Sequence, residues 1–148
     1  MATIRFKPYY IKDIISPRVI DTGLYTGLFK TRTTRTKPKK CGEYEIICGV
    51  PPRPLYNQVK TGVFIKINEV QLKSIQNYTP TEMIGDVGYY DVNKFLETLN
   101  GLNKARTKTK ITGECVEALH SFKFLNCTSD IDKILKDIQE IQDNWKRK

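Results

Sequence analysis

Cations alternate with threonine in two acid-free stretches of the chain. The first runs Lys30-Thr31-Arg32-Thr33-Thr34-Arg35-Thr36-Lys37-Pro38-Lys39-Lys40, the second Lys104-Ala105-Arg106-Thr107-Lys108-Thr109-Lys110. On a β-strand, residues two apart share a face and lie about 6.6 Å apart, close to two steps of a DNA strand at about 3.4 Å each. Ammonium and guanidinium groups neutralise phosphate. The threonine hydroxyl can donate to phosphate oxygen, and its branched carbon favours an extended backbone. The candidate phosphate contacts are therefore Lys30, Arg32, Arg35, Lys37, Lys39, Lys40, Lys104, Arg106, Lys108 and Lys110. Tyr25 and Phe29 lead into the first segment and would place aromatic faces for base stacking beside those cations. The competing reading packs both rings in the core and leaves a solvated hairpin tip.

Whole-chain charge points the same way. The net charge is +9 over 148 residues, and a pI near 9.4 favours an acidic partner, nucleic acid first, with an anionic membrane surface or an acidic protein as lesser candidates. Residues 1–60 carry 12 cations and 4 acids, 61–100 carry 3 and 5, and 101–148 carry 10 and 7. That unevenness is what a one-sided binding surface produces. Lys37-Pro38-Lys39-Lys40 also has the composition of a short nuclear-import signal.

Other chemistries find little support. Six residues separate Cys41 from Cys48 and four separate Cys115 from His120, with Cys127 beyond, so the paired spacing of structural zinc is missing. No metal and no cofactor are expected. His120, the sole histidine, sits among Ala118, Leu119 and Phe122 and reads as a partly buried structural residue. The first residues, Met1 to Lys7, lack the apolar core of a signal peptide, and no stretch approaches the roughly 20 apolar residues of a membrane span. The expectation is an intracellular chain, cytoplasmic or nuclear, with no membrane contact and four free thiols.

Val19-Ile20-Asp21-Thr22-Gly23 resembles the active-site strand and turn of retroviral-type aspartic proteases. That resemblance implies a dimer in which two carboxylates share a proton and activate a water. It covers five residues. Leu24 stands where that family prefers Ala or Ser, and Ile46-Ile47-Cys48-Gly49 is a poor version of its second apolar-apolar-glycine element. Asp-Thr-Gly is also ordinary turn chemistry at a strand end.

The elements that must position the cations read as an α+β domain over 1–148, strand-rich in 1–75 and helix-rich in 88–148. The expected fold is a small, mostly antiparallel sheet of about five strands followed by two or three covering helices. Residues 4–7, 18–22, 24–33, 43–50 and 62–67 are rich in β-branched and aromatic types and are punctuated by Pro8, Pro17, Gly42 and the prolines of 51–54. Residues 9–15 fit a short helix or a strand. Asp91 should cap a helix bearing Val92, Phe95, Leu96, Leu99 and Leu102, ending near Gly101. Residues 114–125 fit a helix, yet Phe122-Lys123-Phe124 alternates like a strand. Ser129 or Asp130 should cap the last helix, where Ile131, Ile134, Ile138, Ile141 and Trp145 step by three and four. Such a face either packs on the sheet or pairs with a protein partner or a second copy.

Function follows as an expectation: a nucleic-acid-binding protein without strong sequence specificity, single-stranded DNA or RNA favoured, and not an enzyme. The alternative is an assembly subunit pairing through the last helix, with proteolysis a remote third.

Overall fold

The computed structural model describes residues 2–15, 30–50, 57–88, 91–102 and 111–146. Among these residues five strands form one sheet: β1 (Thr3–Arg5), β2 (Arg32–Arg35), β3 (Gly42–Val50), β4 (Asn57–Ser74) and β5 (Val116–Cys127). Within the described residues four helices accompany them: α1 (Ile11–Ile15), α2 (Pro80–Val87), α3 (Val92–Leu102) and α4 (Ile131–Lys146). The strand order is β1-β3-β4-β5-β2. β1 runs parallel to β3, and the other three pairings are antiparallel. The chain is thus α+β with a mostly antiparallel sheet.

β4 organises the sheet because it is long and alternates. Val63, Ile65 and Ile67 are buried, while Phe64 and Lys66 between them face the other way. The register then slips: Ile67 opposes Phe122 and Glu69 opposes Ser121, leaving Asn68 as the extra residue of a bulge. A bulge raises local twist, and the sheet curls. The two edges come so close that the Arg35 side chain on β2 donates from Nη2 to the Arg5 carbonyl on β1 at 2.6 Å.

Each face carries its own core. One is built from Ile4, Phe6, Ile11, Ile14, Ile46, Ile65, Ile67 and Phe122, closed by Ile131 and Ile138 of α4. The other gathers Ile75, Tyr78, Met83, Val87, Phe95, Leu99 and Leu119 under α2 and α3. Phe122 and Leu119 of β5 differ in parity, so they reach opposite faces.

Several expectations change here. The undecided segment 114–125 is mostly strand β5, placed in the half expected to be helical. It pairs with β4 on one side and β2 on the other, and Glu117 to His120 are buried in an unbroken run. A strand covered on both faces loses the alternation that would mark it. Within the described residues the strand expected over 24–33 starts only at Arg32 and runs on to Arg35. Residues 18–22, 24–29 and 51–54 lie outside the described ones. The ambiguous 9–15 segment is a 3₁₀ turn over Pro8–Tyr10 leading into α1.

Asp91 Oδ1 accepts from Asn93 N at 2.8 Å at the start of α3, and Asp130 Oδ1 accepts from Lys133 N at 3.3 Å in the first turn of α4. On α4, Ile131 and Ile138 are buried and Ile134 and Leu135 half-buried against the sheet core, whereas Ile141 is 39% exposed. The apolar face is committed to the core for most of its length. No helix among the described residues is long and apolar enough to cross a membrane.

Candidate nucleic-acid interface

β2 shows how the threonine-spaced cations are displayed. Its register sets Arg32 opposite Ser121, Thr33 opposite His120, Thr34 opposite Leu119 and Arg35 opposite Ala118. Arg32 and Arg35 are three apart because two threonines intervene, so they leave the strand on opposite faces. The single-sided row of cations expected from the sequence does not form within β2.

Lys30 is withdrawn from solvent altogether. Its ammonium donates to Asp86 Oδ1 at 2.9 Å and to the Asp86 carbonyl at 2.6 Å, and the two side chains are only 2% and 3% exposed. Thr34 Oγ1 donates to the other carboxylate oxygen at 2.6 Å and lies 3.1 Å from the Tyr78 hydroxyl. Having given its proton to Asp86, Thr34 receives one from Tyr78. The ammonium also sits 4.3 Å from the Tyr10 ring centre and 5.6 Å from that of Phe6. Burial lowers the proton affinity of Lys30, and the Asp86 carboxylate opposes that shift. The cluster ties β2, α2 and the turn before α1 together. As a phosphate contact, Lys30 is replaced by this structural role.

Arg35 is also engaged. Besides the Arg5 carbonyl, it donates from Nε to Thr33 Oγ1 at 3.1 Å and lies over the Phe6 ring at 5.0 Å. It latches one edge of the sheet to the other. Next to it, His120 accepts from Lys39 N through Nε2 at 2.9 Å, and its Nδ1 lies 3.2 Å from the Thr33 carbonyl. A carbonyl only accepts, so Nδ1 carries the proton and the ring is neutral. Burial lowers the His120 pKa, the Thr33 hydrogen bond opposes the shift, and Arg35 and Lys39 add to it.

The remaining cations of the first segment face water. Lys37 and Lys40 are exposed, and Lys39 and Arg32 are half-buried. Among the described residues no carboxylate comes within 4 Å of these four. Lys104, Arg106, Lys108, Lys110, Tyr25, Phe29 and Asp21 lie outside the described residues.

The chain matches no known protein family, no curated protein and no solved structure. A function must therefore be argued from the chemistry of the site.

One aromatic was overlooked in the sequence. Tyr9 is 62% exposed, with its ring centre 4.6 Å from that of Tyr10. It stands on the 3₁₀ turn that follows the exposed Lys7, whereas Lys12 on α1 is paired with Asp132 at 3.0 Å. Only the Pro8 that opens this turn hinted that Tyr9 would be held outward. Among the described residues no three metal-binding side chains gather. Cys41 and Cys127 are exposed thiols, while burial pushes the Cys48 thiol up to about 11. The described surface carries exposed positive charge and hydroxyls along the run from Arg32 to Lys40 and, separately, an exposed aromatic on the 3₁₀ turn, features that suit a polyanion.

Proposed function

We propose that the chain binds nucleic acid, with single-stranded DNA or RNA preferred and without strong sequence specificity. The carrying observation is the run from Arg32 to Lys40 after its structural members are set aside. Arg32, Lys37, Lys39 and Lys40 have access to solvent and have no carboxylate within 4 Å among the described residues. Tyr9 supports a single strand, because a free base can stack on an exposed ring whereas a paired one is already stacked. Lys104 to Lys110 would extend the phosphate contacts. The setting that goes with this reading is intracellular, cytoplasm or nucleus.

A protein-interaction role has an observation of its own. Leu72 is 68% and Val116 60% exposed. Leu72 opposes Ala118 and Ser74 opposes Val116, so the two aliphatics share one sheet face.

Titration of labelled single-stranded DNA, duplex DNA and RNA at several salt concentrations tests the first reading. Binding should weaken steeply with salt. Lys37→Gln with Lys40→Gln should reduce the slope of log K against log salt by about 1.4, at about 0.7 for each single-strand phosphate that is no longer neutralised. Salt-independent or absent binding, with a mass that rises with protein concentration, would hand the assignment to the interaction role.

A further inference from the structure

β4 outruns its neighbour on one side. Its ladder with β3 ends where Gly42 opposes Ile67, whereas its ladder with β5 continues to Ser74 opposite Val116. The chain just before Gly42 lies over the sheet and not along its rim: the Lys40 carbonyl accepts from the Tyr44 hydroxyl at 2.6 Å, and Lys39 N donates to His120 on β5 at 2.9 Å. From Glu69 onward the outer side of β4 therefore pairs with no strand among the described residues.

The groups on that outer side follow from one hydrogen bond. Ile75 N donates to the Cys115 carbonyl at 3.1 Å, so Ile75 addresses β5. Successive residues of an antiparallel strand turn their N–H and C=O to alternate sides, so Lys73, Gln71 and Glu69 also address β5, while Val70 and Leu72 present theirs outward. Leu72 is 68% exposed, and Glu69 and Gln71 are exposed beside it. An open edge invites pairing unless proline, a bulge or repelling charge blunts it. Here the bulge falls at Asn68, before the open stretch, and the two charges, Glu69 and Lys73, are of opposite sign.

This edge is complementary to itself. Laid antiparallel about Gln71, Glu69 of one copy meets Lys73 of the other, and Val70 meets Leu72. We propose that the outer edge of β4, Glu69 to Lys73, is the contact surface for a second copy of this chain, which pairs about a two-fold axis at Gln71 and continues the sheet from copy to copy. Each Val70–Leu72 pair exchanges two backbone hydrogen bonds and sets its aliphatic side chains on one face. Each Glu69–Lys73 pair falls on the other face, at the positions where cross-strand side chains come closest. Lys73 already donates to Glu82 at 2.8 Å, and an ammonium has three donors to share. Charge favours a copy at this place: residues 61–100 hold 3 cations and 5 acids in a chain of net charge +9, so two copies meet here with the least repulsion. The contact is the same patch on both sides and closes at the dimer.

Sedimentation of the full chain from about 1 μM to about 1 mM tests the pairing. The mass should rise from 17.1 kDa to twice that value. Glu69→Lys sets lysine against Lys73 at both ends of the contact and should stay monomeric, and Lys73→Glu should do the same by meeting Glu69. Mixed one to one, the two variants restore both pairs, and the mass should double again. Circular dichroism shows that each variant is folded. Amide exchange of the wild type reads the same contact without any substitution: the Leu72 N–H should gain about tenfold protection between dilute and concentrated protein, while the Gln71 N–H, held by β5 in both, should not change.

A wild-type chain that remains monomeric at about 1 mM overturns the proposal. So does a Glu69→Lys chain that dimerises like wild type, since the contact then lies elsewhere. Folded variants that stay monomeric when mixed would refute the register about Gln71, and Leu72 exchange that ignores protein concentration would refute the edge itself.

Discussion

Replacing Lys30 with methionine separates the buried ion pair from the exposed charge that follows it in sequence. The substitution keeps the length of the side chain and removes two hydrogen bonds, at 2.9 Å to Asp86 Oδ1 and at 2.6 Å to the Asp86 carbonyl. It leaves a carboxylate that is 3% exposed, held by the Thr34 hydroxyl at 2.6 Å. Breaking a buried pair from one side costs about 3–5 kcal/mol, since the surviving charge is stranded where water cannot reach it. With a urea dependence of about 2 kcal/mol per molar, the unfolding midpoint should fall by roughly 2 M. Lys30→Met combined with Asp86→Asn removes the stranded charge and should recover at least about half of that stability, as coupled neighbours do. Urea titrations followed by circular dichroism give all three values. A single variant within about 1 kcal/mol of wild type, or a double variant no better than the single, would refute the claim that Lys30 acts through Asp86. By contrast, Lys37→Gln and Lys40→Gln should stay within about 0.5 kcal/mol, because both side chains are exposed.

Ile138→Asp should unfold the chain, since Ile138 is 1% exposed in the core, whereas Ile141→Asp should remain folded because Ile141 is 39% exposed. Circular dichroism with sedimentation separates these outcomes, and a folded Ile138→Asp that only changes mass would assign the face to assembly. His120 makes stability depend on pH. Its folded pKa lies below the ordinary 6.5, so the unfolded chain takes up the proton first. The stabilisation is complete above about pH 6.5 and is lost as pH falls from there through the folded value, at no more than about 1.4 kcal/mol per pH unit. His120→Gln should flatten that slope between about pH 7 and pH 5 in urea titrations.

The sequence was most legible where one element obeyed one period. The seven-residue rhythm of Ile131 and Ile138, the Asp91 cap and the alternation of Val63, Ile65 and Ile67 each stated their structure locally. β5 was only half legible: Phe122-Lys123-Phe124 alternates, but burial on both faces erased the alternation over Glu117 to His120. α2 has a full capping box, with Thr79 Oγ1 accepting from Glu82 N and Glu82 Oε1 from Thr79 N, but two turns are too few for a period to show. The candidate site was legible in its charge and not in its partners. Nothing local links Lys30 to Asp86, 56 residues away, or tells that Arg35 would span a curled sheet to Arg5. The doubled threonine at 33 and 34 was visible throughout, and its consequence, that Arg32 and Arg35 part company, needed only the strand's limits.

The place of β2 at the end of the strand order has a consequence for how the molecule comes into being. Its ladder partner is β5, and Thr33 meets His120 across 87 residues. Contacts so distant in sequence close slowly. During synthesis the cations from Arg32 to Lys40 emerge long before the strand that holds them exists, so β3 and β4 can pair while the basic segment is still untethered. The candidate interface is thus the last part of the sheet to be completed, and a nascent chain carries its positive charge in an open form that the finished protein replaces with a fixed one.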